Sequence, residues 1–339
     1  MTLSKGGKTL STKKEAYLCV SAMLRAREPR LLNNERAERM LDAGSCEDAA
    51  KLLTDCGYPD MSQSTIAEVE EILAAHRAEI FDELSRLSPD KELVDLFKLK
   101  YDYHNAKAVI KAEAVETDAK RLLSDAGRVP GQELLEIYNE EHYSLLPAAL
   151  GKAMAEAKAT LARTANPQLS DFVLDRAYFE ELRGVAEKVD SDFLRAYAQV
   201  SIDSANLKSA VRTLRMGKNQ DFLAEVLIDG GGVSVQRIIG ASDKDSLAAL
   251  YAHTPLEKAA ALGADALSGG SMTPFERACD NAVTDYLRNA KLVSYGPEAV
   301  AAYLAAVEGE IQAVRMILTG RLAGVKPQAI RERLRDLYA

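Results

Sequence analysis

The chain has 339 residues, 47% of them hydrophobic and 28% charged, which is the composition of an ordinary soluble globular protein with room for two or three domains. Its formal net charge of −8 at pH 7 argues against a general nucleic-acid binder, because such proteins neutralise phosphates with clustered Lys and Arg. The four cysteines form neither a CxxC pair nor a metal-finger spacing, so we expect reduced thiols and a cytosolic protein.

Helix signals dominate the whole chain. Ala, Leu, Glu, Lys and Arg are abundant and no long stretch alternates with a period of two, so an all-α fold is predicted. The first eleven residues are polar and are expected to fray. In chain order, the patterns then predict helices over 12–28, 35–41, 47–56, 64–84, 89–115, 171–190 and 190–214, short helices up to residue 262, and a final unit from 273 that turns at 296–297 and ends in a basic helix over 327–338.

Four prolines are expected to open helices, because each follows a residue that can cap a helix N-terminus. The pairs are Ser88-Pro89, Asn166-Pro167, Thr254-Pro255 and Thr273-Pro274. Glu257 and Glu276 stand three positions after Thr254 and Thr273, which predicts two capping boxes.

No stretch of the sequence predicts a membrane-spanning helix. A span needs about 20 apolar residues, and the longest candidate, 299–307, ends at Glu308. Residues 17–24 are apolar, but the stretch is short and runs into Arg25 and Arg27, so no signal peptide is predicted. If this protein works at a membrane, we expect partners to hold it there.

A six-residue helical pattern occurs three times, once in each third of the chain. The copies are DYHNAK at 102–107, DSANLK at 203–208 and EIQAVR at 310–315. The first two have a second basic residue four positions further on, Lys111 or Arg212, whereas the third has Ala313 in place of the Asn. The copies are 101 and 107 residues apart, and a period of this length indicates a repeated small domain rather than an array of helical hairpins.

A second pattern, G-x-V-x-x-Q, follows the first two copies and begins at Gly127 and at Gly231. Together the patterns predict three related helical lobes of about 100 residues each. The predicted segments are a first lobe over 30–125, a second lobe over 126–230, linking short helices over 231–272, and a closing lobe made of 12–29, 273–296 and 297–339.

The sequence contains no motif for catalysis, a cofactor or a metal. Arg212 stands where a phosphate loop ending at Gly217-Lys218 would need its first glycine. The four histidines lie far apart without an HExxH pattern, and no serine or cysteine lies in a nucleophile motif. We therefore expect no catalytic, cofactor-binding or metal site. A helical hydrolase with a pocket assembled from scattered residues is the enzymatic alternative.

The repeated acid, amide and base have two interpretations. In the structural one, which we favour, Asp102, Asn105, Asp203 and Asn206 hydrogen-bond to neighbouring helices inside each unit, because buried polar groups need partners. Glu310 is the corresponding acid of the third copy. In the functional interpretation, the basic residues line a shared surface that meets an acidic or carbonyl-rich partner. Those candidates for partner contact are Lys107, Lys111, Lys208, Arg212 and Arg315.

Several stretches, taken together, match the pattern of a known family. They are EDAAKLLTDCGY at 47–58, LFKLKYDYHNAKAVIKAEA at 96–114, IDSANLKSAVR at 202–212, YLAAVEGEIQAVRMIL at 303–318 and the turn at 295–297. In these stretches the chain resembles the C subunit of the bacterial and archaeal V-type (A-type) ATPases, whose eukaryotic relative is called the d subunit. The matches keep the expected order over nearly the whole chain, which makes them more specific together than any one alone.

The resemblance implies three similar helical lobes around a pseudo-threefold axis, forming a funnel-shaped socket. It further implies a non-catalytic protein that is cytoplasmic, attached peripherally to the membrane, and placed between the rotor ring and the central stalk formed by the D and F subunits. A protein of this kind couples ATP hydrolysis or synthesis to H+ or Na+ movement and needs no nucleic acid, cofactor or small-molecule substrate. The alternative is a helical scaffold or adaptor unrelated to rotary motors, whose gene would lack neighbours for ring, stalk and head subunits.

Overall fold

The computed structural model describes residues 13–241 and 243–339, so the predicted fraying of the first eleven residues lies outside the described part. The described residues form α-helices and short 3-10 turns and contain no strand, which confirms the all-α prediction. No helix among residues 13–241 and 243–339 is both long and apolar enough to cross a membrane.

The α-helices follow one another through short connections. They are α1 Leu18–Arg27, α2 Asn34–Asp42, α3 Cys46–Lys51, α4 Ile66–Leu87, α5 Glu92–Ala114, α6 Gly131–Asn139, α7 Ala148–Thr164, α8 Pro167–Val189, α9 Asp192–Arg215, α10 Gln220–Val226, α11 Val235–Gly240, α12 Lys244–Leu250, α13 Glu257–Leu267, α14 Met272–Arg288, α15 Pro297–Leu322 and α16 Pro327–Arg333. The break predicted near Asp190 is present, and this residue ends α8 with φ +58° in the left-handed region.

One predicted helix cap is present in the structure, and two predicted capping boxes are not. Asn166 caps α8 as expected, because its side chain accepts a hydrogen bond from the N–H of Gln168. The two predicted capping boxes are wrong. The Thr254 hydroxyl instead donates to the carbonyl of Tyr251 at 2.7 Å, and α13 begins without a side-chain cap. The cap of α14 is Ser271, two residues before the predicted threonine.

The buried apolar side chains form three hydrophobic clusters, each containing a different copy of the repeat. The first combines α1 to α4 and the start of α5 with the α8–α9 junction, α15 and residues 330–338. The second combines the later half of α5 with α6, α7 and the start of α8. The third combines the middle of α9 with α10 to α14. The first cluster therefore joins segments from both ends of the described chain, while the predicted lobe boundaries stay predictions.

Candidate partner-binding site around the repeat helices

Helix α5 carries the first copy of the repeat and buries its carboxylate. Oδ1 of Asp102 accepts hydrogen bonds from the backbone N–H of Arg128 at 2.8 Å and of Val129 at 3.3 Å. Nε of Arg128 also donates to Oδ2 at 2.6 Å, and its guanidinium continues to Glu181 on α8. The carboxylate thus holds the loop that precedes α6 against α5.

Helix α9 repeats this arrangement in the second copy. The carboxylate of Asp203 accepts hydrogen bonds from the N–H of Gly232 at 2.9 Å and of Val233 at 3.1 Å, in the loop that precedes α11. Gly232 stands where the first copy has Arg128, so no guanidinium from this loop pairs with the acid. Two backbone N–H groups are therefore the shared partners of the repeated aspartate.

The repeated asparagines bind the same loops from one helical turn further on. Asn105 donates from Nδ2 to the carbonyl of Ser124 at 2.8 Å, and its Oδ1 accepts the N–H of the same residue at 2.9 Å. Asn206 makes the same pair of bonds with Ile228, at 2.7 and 2.9 Å. Each amide side chain thus binds both the backbone N–H and the backbone carbonyl of one loop residue. The bonds run to loop backbone rather than to a neighbouring helix.

Two glycines allow the loops to approach the aspartates this closely. A Cβ atom added at Gly127 would lie 2.3 Å from Oδ1 of Asp102, and one added at Gly231 would lie 2.2 Å from Oδ1 of Asp203. Real Cβ atoms do not approach an oxygen so closely. The G-x-V-x-x-Q pattern noted in the sequence is therefore the loop that pairs with the repeat.

The third copy on α15 uses a longer acid and a distant loop. Oε2 of Glu310 accepts the N–H of Leu32 at 2.5 Å, and Oε1 accepts the hydroxyl of Tyr58 at 2.8 Å. The His76 ring lies 4.5 Å from the Tyr58 ring at a tilt of 45°, and its Nε2 lies 4.0 Å from the carboxylate. Ala313 is buried at the asparagine position, so this copy lacks the amide contact. The acid contacts the segment just before α2.

Burial is the largest effect on the pKa of all three repeat carboxylates, and it raises each pKa. It raises the pKa of Asp102, although the Arg128 guanidinium opposes the shift. It likewise raises the pKa of Asp203, against two backbone N–H groups. The pKa of Glu310 is raised to about 7 for the same reason. These acids hold backbone groups in the interior, which is a structural use of charge.

The five basic residues proposed for partner contact form ion pairs inside the chain. The pairs are Lys107–Asp175, Lys111–Asp171, Lys208–Asp280, Arg212–Glu276 and Arg315–Glu70. The side chains of Lys111 and Arg212 are 52% and 55% exposed, whereas the other three bases are at most 35% exposed. Among the five, these two alone present more than half of their surface to solvent.

The ion pairs also show which helices lie side by side. In each pairing the residue number rises along one helix as it falls along the other, so α5 lies antiparallel to α8, and α9 to α14. Arg315–Glu70 and Glu308–Arg77 pair α15 with α4 in the same way. Short links lead from α8 to α9, from α14 to α15 and from α4 to α5. The pairings and links therefore form one closed cycle that contains all three repeat helices.

A central cavity of about 580 Å³ lies between the repeat helices. Its wall includes one residue from each repeat helix at the position seven before the repeat base, namely Lys100, Ser201 and Glu308. Residues from α8 and α14 and the segment 334–337 complete the wall. The cavity is thus bounded by equivalent faces of all three repeat helices.

Glu308 is the centre of a buried charge cluster that no sequence motif predicted. Its carboxylate accepts hydrogen bonds from Arg77 at 2.9 Å, Lys100 at 2.6 Å and the hydroxyl of Tyr101 at 2.5 Å. Burial acts to raise the pKa of this carboxyl, but the Lys100 and Arg77 charges outweigh it and hold the pKa below its usual range. One signal in the sequence could have found it: Glu308 and Lys100 each stand seven positions before a repeat base.

Exposed apolar side chains mark the C-terminal ends of the repeat helices. Val115 follows α5 and is 65% exposed, Met216 follows α9 and is 55% exposed, and Leu322 ends α15 and is 41% exposed. We call these three residues the rim. Val115 and Met216 each lie four positions after an exposed base, Lys111 or Arg212, so base and apolar side chain share one helix face.

No group of three or more His, Cys, Asp or Glu side chains among residues 13–241 and 243–339 is arranged to hold a metal ion. All four cysteines, which lie in this part of the chain, are free thiols. His104 is exposed and its Nε2 lies 3.0 Å from the carbonyl of Leu122. The ionisable groups of the site instead pair with one another or with loop backbone.

The fold and the repeated contacts define a class: an all-α protein in which three helices that carry one sequence repeat line a shared cavity. The model of the ATP synthase (C/AC39) subunit family matches residues 20–333, and the chain belongs to this family. It is 24% identical to the A-type ATP synthase C subunit of Methanocaldococcus jannaschii, over 95% of this chain and 86% of that protein. It is 20% identical to the V-type sodium ATPase C subunit of Enterococcus hirae, over 95% and 99%. The V-type ATP synthase C subunit of Thermus thermophilus is 26% identical over 61% and 65%. The resemblance found in the sequence is therefore confirmed.

Proposed function

We propose that this chain is a non-catalytic subunit on the rotation axis of a V-type or A-type ATPase, where it couples the central stalk of the D and F subunits to the membrane rotor ring. Family membership and the names of its relatives support a place in such a complex. The protein is cytoplasmic and reaches the membrane through the complex. The work it transmits is ATP-driven transport of H+ or Na+, or ATP synthesis in the reverse direction.

The observation that carries this proposal is the closed cycle of helix pairs. A joint between two rotating parts has to transmit torque without deforming, and close-packed protein interiors resist compression. In a cycle each repeat helix is braced by a paired helix on one side and by a short link on the other. Three related lobes around a pseudo-threefold axis, forming a socket, are the arrangement that such a cycle supports.

The cavity and the rim are assigned to different partners. The central cavity takes the tip of the stalk, because residues of all three repeat helices line it. The rim, with Lys111 and Arg212 beside it, takes the cytoplasmic loops of the ring. A ring of identical subunits offers the same carbonyl and apolar groups repeatedly, and the rim repeats a matching surface.

The purified chain should bind both partners and turn over no nucleotide. We would immobilise it and measure association with a purified D–F complex and with detergent-solubilised ring, with ATP hydrolysis assayed in parallel. Specific binding to both, and no hydrolysis, is the expected result. Binding to neither partner overturns the proposal, and ATP turnover by the isolated chain overturns its non-catalytic part.

A matched pair of variants tests the ring assignment. Lys111→Glu with Arg212→Glu reverses the two exposed bases of the candidate site, whereas Lys152→Glu with Arg163→Glu reverses two exposed bases on α7. We expect the first variant to lose ring binding and keep stalk binding, and the second to keep both. Equal loss in both variants would mean that only overall charge matters.

A further inference from the structure

The helix predicted over 327–338 ends at Arg333, and residues 334–339, which we call the strap, have no regular secondary structure. Leu334, Leu337 and Tyr338 in this segment are buried against the first hydrophobic cluster. The side chains of 334–337 also form part of the wall of the central cavity. One short segment therefore packs into the interior and borders the cavity at the same time.

The strap is held by polar groups from two different helices. The N–H of Asp336 donates to Asn281 on α14, and the N–H of Leu337 donates to Asn34 on α2, both at 2.9 Å. The carbonyl of Leu337 accepts a hydrogen bond from Arg288 on α14. Because α14 belongs to the third cluster and α2 to the first, the strap bridges the seam between these clusters.

The strap also shares an acid with the repeat. Asp280 accepts Lys208 at Oδ1 and Arg335 of the strap at Oδ2, each at 2.8 Å. The equivalent acids on α8 and α4, Asp175 and Glu70, pair with their repeat bases and are not reached by the strap. One of the three equivalent ion pairs is therefore modified by a group that lies at the cavity wall.

We infer that the strap is an internal clasp that keeps the central cavity narrow, and that entry of a stalk releases it. This inference rests on the proposed function. Residues 334–337 of the strap stand in the cavity wall, where a stalk tip entering the cavity would meet them.

The strap is the part of the wall that can move without unfolding a helix. Its polar contacts run to side chains such as Asp280, Asn281 and Asn34, which incoming polar groups can replace. Its release therefore costs chiefly the burial of its three buried apolar side chains. The remaining wall belongs to long helices, whose backbone bonds cannot be exchanged in this way. Release of the strap therefore couples stalk binding to opening of the seam between α14 and α2.

Hydrogen exchange on the unaltered full chain tests the inference. The amides of Asp336 and Leu337 should be protected in the isolated chain and should exchange at least about tenfold faster once purified D–F complex is bound. Retained or increased protection in the complex overturns the inference alone. If the chain does not bind D–F at all, the proposed function fails and the inference fails with it.

A variant pair gives an independent readout. Arg335→Gln with Asp336→Asn removes the strap's ion pairs to Asp280 and Arg277 and leaves its apolar side chains in place. We expect this variant to associate with D–F several-fold faster than the unaltered chain. Arg195→Gln, which removes two exposed ion pairs outside the cavity wall, is the control and should not change the rate. An unchanged or slower rate in the strap variant contradicts the inference.

Discussion

The carboxylate of Glu310 accepts a hydrogen bond from the backbone N–H of Leu32, which lies 278 positions earlier in the chain. In the other two copies, the repeated aspartate binds a loop only 26 to 30 positions further on. The same helix–loop contact is thus local in two copies and long-range in the third. The third contact fixes α15 to the segment before α2.

Replacing Glu310 with Gln is expected to change how stability depends on pH. Burial raises the pKa of Glu310 to about 7, from 4.5 in an exposed chain. The folded state therefore holds this proton more tightly than the unfolded state. The resulting stabilisation is fully present below about pH 4.5 and is lost as the pH rises through about 7. Urea unfolding across pH 4.5 to 8.5 measures it.

In this experiment, the unaltered protein loses stability as the pH rises and the Gln variant does not. The free energy of unfolding of the variant, relative to that of the unaltered protein, should therefore rise by at most about 3 kcal/mol from about pH 4.5 to about 8.5. Burial also lowers the pKa of the neighbouring His76, but this histidine is present in both proteins and largely cancels in the difference. Parallel pH curves for the two proteins would show that Glu310 does not titrate differently on folding.

Truncating the repeated asparagines tests the loop contacts. Asn206→Ala leaves a buried N–H and carbonyl of Ile228 without partners, at a cost of about 1–3 kcal/mol for each group. Asn105→Ala removes the partners of the same two groups of Ser124. Solvent partly reaches this residue, so we expect a smaller loss of stability. Denaturation should rank Asn206→Ala as the more destabilising change. Asn139→Ala, at an exposed position, is the control and should change little.

The loop glycines should not tolerate a methyl group. Gly231→Ala places a Cβ 2.2 Å from the Asp203 carboxylate, and Gly127→Ala places one 2.3 Å from Asp102, so each should destabilise the chain by about 1–3 kcal/mol. Gly184 lies inside α8 with nothing within 4 Å of its added Cβ, and Ala there should stabilise the helix by about 0.5–1 kcal/mol. A melting temperature that rises for Gly231→Ala or Gly127→Ala would contradict the close contact.

The buried cluster around Glu308 predicts a large effect from one truncation. Glu308→Ala leaves the Arg77 and Lys100 charges without their buried anion, and breaking a buried pair in this way costs about 3–5 kcal/mol. Chemical unfolding measures the change. The control Arg195→Gln breaks only solvent-screened pairs on the surface and should leave stability nearly unchanged. A loss for Glu308→Ala as small as that of the control would mean that the two cations find other partners.

The repeat positions could be found from the sequence because they recur with a fixed internal spacing. The pattern located Asp102 and Asp203, and the glycines after them, before any contact was known. Their acidic partners were not found, because Asp175 and Glu70 lie 68 and 245 positions from their bases and no local pattern relates them. Pairings across such distances are set by how helices pack, which a single sequence does not display.

Two local signals mislead for physical reasons. In the sequence Glu308 marks the end of an apolar run, whereas in the fold it is buried by cations that come from α4 and α5. Thr273 has the sequence of a capping box, but α14 begins earlier, at a cap formed by Ser271. In both cases tertiary packing decides the role of a residue whose neighbours in the chain suggest another.

The rim should contribute to ring binding but not to folding. Val115→Asp with Met216→Asp replaces two exposed apolar side chains, so the free energy of unfolding should change by no more than about 0.5 kcal/mol. Burying two side chains of this size in an interface contributes about 3 kcal/mol, which corresponds to roughly a hundredfold in affinity. We expect that loss for detergent-solubilised ring and none for D–F, measured by biolayer interferometry. Leu145→Asp with Leu292→Asp, at sites that are 70% and 85% exposed and lie outside the repeat helices, is the matched control. Ring affinity that falls equally in the control, or not at all in the rim variant, would place the ring contact elsewhere on the chain.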